Sequence, residues 1–451
     1  MTRAPEFFPY GLALISKVLK GRKVDVKIYD LNLYRDISGF SKFLSHNFKW
    51  DIIALSGIIT TYSIQVRLAQ QIRDLVPGTL IISGGGLASS VPELLLNKTE
   101  IDAACIGEGE KTILELVQAW SDSRDISQVK GIYWKKRQTG EIFKNESQTS
   151  IPDLDIIPFP DWEGANFEKY LRQYSSFYNK GKKARKLQRR GDLTTTRGCP
   201  YDCSFCSNTF NRQSIRARSV ENVIEEIKLL KKNYSIDSID FLDEHFCFSK
   251  KRVIEFCEMI LKFKLDICWG TATRTDHVDK ELLQFMKKAG CIFILFGFET
   301  GSEKILDNMG KKISLQQSWE AFKLTEESGI DALGNLIIGH PGENDQTIIE
   351  SLDFQRNRYG FLKNRYVEKL DEPEIQMDLQ RRFATVSYVV PYPGSRLHQK
   401  YKDKIGDLEE FMKKISLKDA SHFVVNLSEI SPVKLLGYQQ ILSNPHYWEL
   451  I

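Results

Sequence analysis

The chain has 451 residues, too many for one small core and enough for two domains of ~100–200 residues each. Its hydrophobic fraction of 42% and charged fraction of 27% are those of a globular protein, and a net charge of +4, from 63 basic and 59 acidic residues, argues against a nucleic-acid partner. No apolar run approaches the ~18 residues of a transmembrane helix and the first residues lack a secretory signal, so we expect a cytoplasmic protein without a transmembrane segment.

The first part of the chain, from about Pro9 to Trp120, alternates strand-like and helical apolar runs. The predicted strands are Val24–Leu31, Asp51–Gly57, Gly78–Gly86 and Ile101–Glu110. Helical spacing falls between them, at 61–75 and 110–122. The alternation is typical of a doubly wound parallel sheet, so we predict a Rossmann-like domain over residues 1–145. No strand precedes Pro9, so we expect that either the first strand of this sheet is missing or the N-terminus is cut back.

A linker is predicted over residues 146–191. It begins with the Pro- and Asp-rich segment Glu146–Gly164 and ends with the basic run Asn179–Gly191. Such a run is more often a solvated flexible segment than a contact for phosphate or an acidic substrate.

A second alternation starts at Asp192 and contains six strand candidates. These are Leu193–Arg197, Ser235–Asp243, Ile267–Arg274, Cys291–Glu299, Asp331–Gly339 and Arg382–Pro391. Six βα units predict a partial (β/α)6 barrel over residues 192–395, followed by a mainly helical C-terminal segment over 396–451. Because the chemistry of such barrels lies where the strands end, the strand ends are the places to look for a site.

The loop after the first of these strands, "TTTRGCPYDCSFCSN", holds Cys199, Cys203 and Cys206. Eight cysteines in the whole chain do not make a disulfide scaffold, and clustered thiols in a reducing compartment are more often metal ligands. Zinc sites usually take four ligands from two separated pairs, and no histidine completes a set here. A [4Fe–4S] cluster held by three thiolates would keep one iron open to a substrate.

"CPYDCSFC" resembles the Cys-x3-Cys-x2-Cys motif of radical S-adenosylmethionine (SAM) enzymes, with Phe205 as the aromatic residue before the last cysteine. In that family the open iron chelates the amino and carboxylate groups of SAM. One electron from the cluster then breaks a C–S bond of SAM, which leaves methionine and a 5′-deoxyadenosyl radical that abstracts hydrogen. The resemblance therefore implies Cys199, Cys203 and Cys206 as cluster ligands and catalytic residues.

Later strand ends fit the same resemblance. It implies contacts with the SAM amino group in "FLDEHF", with the SAM carboxylate in "TATRTD", with the ribose in "FGFETG" and with adenine in "IIGHPGE". The implied SAM-binding residues are Phe205, Asp243, Glu244, Arg274, Glu299, Gly339 and Pro341. A lone histidine is more often structural than catalytic, so we expect structural roles for His245 and His340. Cys247, Cys257, Cys268 and Cys291 are expected to be buried apolar residues.

The N-terminal pieces "LSGIITTY", "SGGGLAS" and "IGEGE" resemble the cobalamin-binding domain that precedes the radical core in one large subfamily. The implied cobalamin contacts are Ser56, Gly57, Gly84, Gly85, Gly86, Glu108 and Gly109. The usual Asp-x-His-x-x-Gly element would fall at Pro9–Leu14, which contains neither Asp nor His. The domain is thus degenerate, and no side chain stands ready to replace the lower ligand of cobalt.

Three functions follow as hypotheses. The first is cobalamin-dependent methylation of an unactivated carbon in a natural-product or lipid-type small molecule, which makes the protein a methyltransferase. The second is a cobalamin-independent radical reaction, such as dehydration of an aminoglycoside-like diol, with a relic cobalamin domain. The third, of another class, is an iron–sulfur electron carrier or redox sensor. Either enzyme needs an external one-electron reductant such as flavodoxin or ferredoxin.

Overall fold

The computed structural model describes residues 8–34, 37–45, 49–173, 189–207, 214–383 and 385–448. Most of the basic run Asn179–Gly191 and the last three residues of the chain therefore lie outside the described residues. No helix among those described is long and apolar enough to cross a membrane.

Strands and helices are numbered in chain order. The strands are β1 Ile52–Ser56, β2 Leu80–Gly84, β3 Ala103–Cys105, β4 Ile132–Lys136, β5 Glu141–Lys144, β6 Arg190–Leu193, β7 Thr196–Arg197, β8 Arg216–Ala217, β9 Ser238–Phe241, β10 Cys268–Thr273, β11 Cys291–Glu299, β12 Asp331–Ile338 and β13 Val386–Tyr388. The helices are α1 Tyr10–Lys20, α2 Leu31–Tyr34, α3 Ile37–Ser45, α4 Tyr62–Leu75, α5 Gly85–Ser90, α6 Pro92–Lys98, α7 Gly109–Asp122, α8 Phe167–Gln173, α9 Val220–Tyr234, α10 Lys250–Lys262, α11 Lys280–Lys288, α12 Glu303–Met309, α13 Leu315–Glu327, α14 Asp345–Arg365, α15 Pro373–Phe383, α16 Arg396–Lys400, α17 Lys402–Ile405, α18 Leu408–Ile415 and α19 Pro432–Leu442.

The chain forms two compact units. The first lies within Met1–Tyr170, Ser207–Gln213 and Pro391–Asp419, and the second within Leu171–Cys206, Ser214–Val390 and Ala420–Ile451. The C-terminal segment is helical as predicted, but its residues divide between the units. Helices α16 to α18 belong to the first unit and α19 to the second.

The first unit is built on a sheet of order β1-β2-β3-β4-β5. Strands β1 to β3 are parallel, and their register pairs Ser56 with Gly84, so the carboxyl ends of β1 and β2 meet at one edge. The predicted α/β fold is confirmed. The antiparallel β4–β5 hairpin was not predicted, because its strands carry charged and half-exposed residues in place of an apolar run.

The predicted strand Val24–Leu31 is wrong: residues 24–30 form no strand, and α2 begins at Leu31. Its apolar alternation has another cause, because Val24 and Val26 pack against the core beneath the sheet. Asp30 at its end is buried and accepts hydrogen bonds from the Tyr170 hydroxyl at 2.6 Å and from its own loop. The alternation of apolar residues in this segment thus reflects burial of one side of the chain and not pairing with another strand.

The second unit contains a sheet of six strands in the order β6-β9-β10-β11-β12-β13, and every adjacent pair is parallel. Strand order follows chain order, which confirms the predicted partial barrel. Helices α9, α10 and α11 begin where the side chains of Ser219, Ser249 and Asp279 accept the hydrogen bond of a first-turn backbone N–H. Because every adjacent pair of strands is parallel, the carboxyl ends of all six strands lie at the same edge of the sheet.

The first predicted barrel strand, Leu193–Arg197, is only partly a strand of this sheet. The sheet strand β6 ends at Leu193, and Thr196 and Arg197 pair instead with β8 in a separate antiparallel ladder. Strand β6 does not continue past Leu193 because the Asp243 side chain accepts hydrogen bonds from Thr195 and Thr196, as described below.

Candidate active site

The cysteine loop, residues 198–206, begins at the end of β7 and is fastened to neighbouring elements by its backbone. Gly198 has φ 101°, a conformation that favours glycine. The N–H of Cys206 donates to the Cys203 carbonyl at 3.2 Å, and the N–H of Ser204 donates to the Met309 carbonyl at 2.7 Å. These bonds place the last two predicted ligands in one turn.

The Cys203 thiol of the loop is buried near two positively charged side chains. Burial raises the pKa of the Cys203 thiol, and the positive charges of Lys311 and Arg274 act in the opposite direction. The ammonium of Lys311 lies 2.5 Å from the Glu299 carboxylate and 6.0 Å from the centre of the Phe205 ring. A Cys203 thiol near two cations suits a ligand of a negatively charged iron–sulfur cluster. No group of three metal-ligating side chains that could hold a metal ion is found among the described residues.

Arg274 follows β10, the third barrel strand, and is buried. Its guanidinium stacks 3.6 Å from the centre of the Tyr201 ring, and two of its nitrogens donate to the Asp276 carboxylate at 2.9 Å. Its remaining terminal nitrogen, Nη1, is buried and has no hydrogen-bond partner among the described residues. A buried, unused cationic donor beside the cysteine loop fits a carboxylate ligand such as that of SAM.

Asp243 occupies a different position from the one that its motif implies. The side chain is fully buried, and its two oxygens accept hydrogen bonds from the N–H of Thr195 at 2.6 Å, the hydroxyl of Thr195 at 2.5 Å and the N–H of Thr196 at 2.9 Å. Burial raises the pKa of Asp243 and these three donors act against the rise. Glu244, by contrast, is exposed. We infer that Asp243 anchors the backbone three residues before Cys199, and that Glu244 is the better candidate for the SAM amino group.

We therefore expect the replacement of Asp243 by asparagine to weaken retention of the cluster. The amide offers one acceptor oxygen where the carboxylate offers two, so a buried threonine donor is left unpaired at a cost of about 1–3 kcal/mol. We expect Asp243→Asn to lower iron per chain, with unchanged SAM affinity in the loaded fraction, as measured by iron analysis and equilibrium dialysis. The neighbouring variant Glu244→Gln should do the reverse. Full iron content with weak SAM binding in Asp243→Asn would show that we have exchanged the two roles.

The turn after β12 meets the cysteine loop through a histidine. His340 Nε2 lies 3.2 Å from the Ser204 hydroxyl, and the N–H of Gly339 donates to the Glu343 carboxylate at 2.5 Å. Burial raises the pKa of Glu343 to about 8. The Pro341 carbonyl accepts from Asn308 at 3.3 Å. The predicted adenine-binding turn is thus fixed against the same loop that carries the cysteines, although whether Gly339 and Pro341 bind SAM stays a prediction.

In the first unit, the predicted cobalamin residues lie at the carboxyl ends of β1, β2 and β3. A Cβ on Gly85, which has φ +82°, would stand 2.9 Å from the Gly57 carbonyl, so this position requires glycine for its own packing. Gly84 is different, because its backbone is extended and no atom lies within 4 Å of a Cβ there. Glu108 precedes α7 and its carboxylate accepts from the N–H of Ile151 at 3.1 Å.

Ser56 and Ile58 are exposed at this glycine edge, Gly86 lies in the first turn of α5, and Gly109 begins α7. An open surface of glycine backbone and exposed apolar side chain suits a flat, largely apolar macrocycle such as a corrin. The residues present therefore fit cobalamin, with Gly84 at the open space and Ser56 exposed.

The sequence element that would replace the lower cobalt ligand is missing from its expected window. The window Pro9–Leu14 forms the start of α1, and it contains no histidine. We expect the EPR spectrum of bound Co(II) cobalamin to lack superhyperfine splitting from a protein nitrogen, before and after ¹⁵N labelling of histidine. A splitting that changes on labelling would show that a histidine ligates cobalt.

Comparison with known proteins gives the same two parts. Residues 193–354 match the radical SAM superfamily, and residues 1–117 match the B12 binding domain. An uncharacterised methyltransferase of Pyrococcus horikoshii is 30% identical over 393 residues, which cover 86% of this chain and 77% of that protein. The cytidylyl-2-hydroxyethylphosphonate methyltransferase of Streptomyces wedmorensis is 28% identical, over 77% of this chain and 73% of that protein.

Two solved structures share the fold. TsrM from Kitasatospora setae, a radical SAM methyltransferase with cobalamin and a [4Fe–4S] cluster bound, has a TM-score of 0.73 at 16% identity and covers 99% of this chain and 90% of its own. The cobalamin-dependent radical enzyme OxsB with aqua-cobalamin has a TM-score of 0.68 at 21% identity, over 89% of this chain. This chain spans 59% of OxsB.

A chain with this barrel, this cysteine loop and this N-terminal sheet is an enzyme of the radical SAM class. More narrowly, it belongs to the members of the radical SAM superfamily that carry an N-terminal cobalamin-binding domain. The cofactors of that family are a [4Fe–4S] cluster, SAM and cobalamin.

The structure also brings to the site residues that the motifs did not indicate: Tyr201, His277 and Lys311. Lys311 follows α12 and no pattern marks it. Tyr201 lies between two of the predicted cluster ligands, so its position could have drawn attention to it.

Proposed function

We propose that this chain is a cobalamin-dependent radical SAM methyltransferase that methylates an unactivated carbon of a natural-product or lipid-type small molecule. The observation that carries the proposal is the open glycine edge at Gly84. Gly84 ends β2 at the carboxyl edge of the parallel strands, where such sheets bind their ligands, and the space that a Cβ would fill there is open to a corrin.

The roles of the residues divide between the two units. In the second unit, Cys199, Cys203 and Cys206 would hold the cluster, while Arg274 and Glu244 would orient SAM by its carboxylate and amino group. In the first unit, the backbone of Gly57, Gly84, Gly85 and Gly86 would lie against the corrin. When bound, the cluster supplies the electron that cleaves SAM, and methylcobalamin supplies the methyl group. Relatives named as methyltransferases support this reading.

Radical methylation explains why both cofactors belong together. An unactivated carbon has no lone pair to attack the methyl group of SAM, so it cannot be methylated by polar transfer. Removal of a hydrogen atom makes that carbon reactive toward a methyl donor. Flavodoxin, ferredoxin or a similar one-electron donor would supply the reducing equivalents.

Product analysis tests the proposal. The protein, loaded with cluster and cobalamin, is incubated anaerobically with SAM carrying a labelled methyl group and with titanium(III) citrate. We expect S-adenosylhomocysteine together with 5′-deoxyadenosine, and label on the corrin. 5′-Deoxyadenosine without S-adenosylhomocysteine would favour the cobalamin-independent reaction. Formation of neither product would favour the electron carrier.

A further inference from the structure

Unpaired buried polar atoms cluster beside the cysteine loop. Arg274 Nη1, His245 Nε2 and Thr275 Oγ1 are all buried and have no hydrogen-bond partner among the described residues. Arg274 and Thr275 directly follow β10, and His245 follows the neighbouring strand β9. A buried polar group without a partner costs about 1–3 kcal/mol. Three such groups at two adjacent strand ends therefore point to a ligand that forms hydrogen bonds with them.

The Nε2 of His245 can act as a donor. Its Nδ1 lies 3.0 Å from the Thr273 hydroxyl. A threonine hydroxyl rotates to donate or to accept, so it can donate to Nδ1, and the proton of the neutral ring then resides on Nε2. Burial lowers the pKa of His245 to about 4, so the ring is neutral at physiological pH.

Three side-chain contacts connect Arg274 and His245 to the cysteine loop. The Tyr201 hydroxyl lies 2.7 Å from His277 Nε2, and the His277 ring meets the His245 ring edge to face with their centres 4.3 Å apart. Tyr201 also carries the Arg274 guanidinium on its ring face, 3.6 Å from the ring centre. Because Tyr201 lies between Cys199 and Cys203, these contacts place Arg274 and His245 next to the loop that would carry the cluster.

We propose that His245 is a SAM-binding residue, whose Nε2–H donates to the same carboxylate that Arg274 Nη1 binds. The ligand class follows from the donors, since a buried cation and a neutral N–H at adjacent strand ends suit an anionic oxygen pair. The source of that carboxylate follows from the position beside the cysteine loop, where SAM would chelate the open iron. Tyr201 and His277 are positioning residues, which act through Arg274 and His245. The inference rests on the proposed function for the presence of SAM.

The test compares two ligands that differ in the carboxylate alone. Cluster-loaded wild-type protein, His245→Phe and His245→Gln are titrated by equilibrium dialysis with SAM and with decarboxylated SAM. We expect His245→Phe, which keeps a ring but loses the donor, to weaken SAM binding roughly tenfold to a hundredfold, the range for one hydrogen bond to a charged group. Binding of decarboxylated SAM and iron per chain should stay as in the wild type. His245→Gln places an N–H near the position of Nε2 and should recover most of the affinity.

A matched control is His398→Phe, which removes a half-buried histidine whose buried Nε2 has no partner among the described residues. This variant should bind SAM like the wild type. Equal weakening of both ligands by His245→Phe, or no weakening of either, would overturn the inference while leaving the proposed function intact. Wild-type protein that holds iron but does not bind SAM would defeat the proposed function and this inference together.

Discussion

Changing Cys203 to alanine should abolish both the iron–sulfur cluster and SAM cleavage. With three thiolates the cluster keeps one iron open, and with two it loses the ligand that holds a second iron. We expect iron per chain to fall to background and 5′-deoxyadenosine to become undetectable, at least about a thousandfold below the wild type. The same result is expected for Cys199→Ala and Cys206→Ala. Anaerobic reconstitution followed by iron analysis and product chromatography measures both quantities.

Cys268→Ala is the matched control for the cysteine variants. Cys268 is a half-buried cysteine on β10 of the same unit and belongs to no predicted ligand set. It should keep the cluster and the wild-type rate of SAM cleavage. Retention of SAM cleavage in any one of the three loop variants would contradict the assignment of that cysteine as a ligand.

Replacing Gly84 by leucine should abolish cobalamin binding while the protein stays folded and still cleaves SAM. The backbone of Gly84 is extended, at φ −136° and ψ 179°, and a Cβ there meets nothing within 4 Å, so the substitution places little strain on the first unit. The leucine side chain would instead fill the space at the glycine edge that the corrin needs. We expect at least about a tenfold loss of bound corrin. Absorbance of extracted cobalamin measures the loss, and 5′-deoxyadenosine formation reports on the second unit.

Gly78→Leu supplies the matched control for Gly84→Leu. Gly78 precedes the amino end of the same strand β2, and a Cβ there also meets nothing within 4 Å. This variant should bind cobalamin like the wild type, since the predicted site lies at the opposite end of the strand. Normal corrin content in Gly84→Leu would place the cobalamin, if bound, elsewhere.

Motif and periodicity predicted the two α/β parts because both depend on local sequence. The cysteine spacing fixes a loop, and buried parallel strands require apolar runs. Periodicity failed at Val24–Leu31, because one-sided burial and strand pairing leave the same alternation in the sequence. It also missed the β4–β5 hairpin, whose strands pack weakly and therefore carry few apolar residues.

The site was predicted in outline, and the missing parts are those that only tertiary contacts decide. Adjacent in sequence, Asp243 and Glu244 share one motif, but the fold buries the first against Thr195 and leaves the second exposed. His245 read as a lone structural histidine, because its unpaired nitrogen and its approach to His277 exist only in the folded barrel. Sequence position alone could not separate an anchor from a ligand contact.

The central claim is that one chain carries both a cluster and a corrin. The most direct test is to produce the protein in cells supplied with hydroxocobalamin, purify it without oxygen and measure iron, sulfide and corrin per chain. The account predicts about four iron atoms and about one corrin per chain, with both absorption signatures in one spectrum. A full cluster with no corrin, in protein that also fails to take up cobalamin on reconstitution, would contradict it.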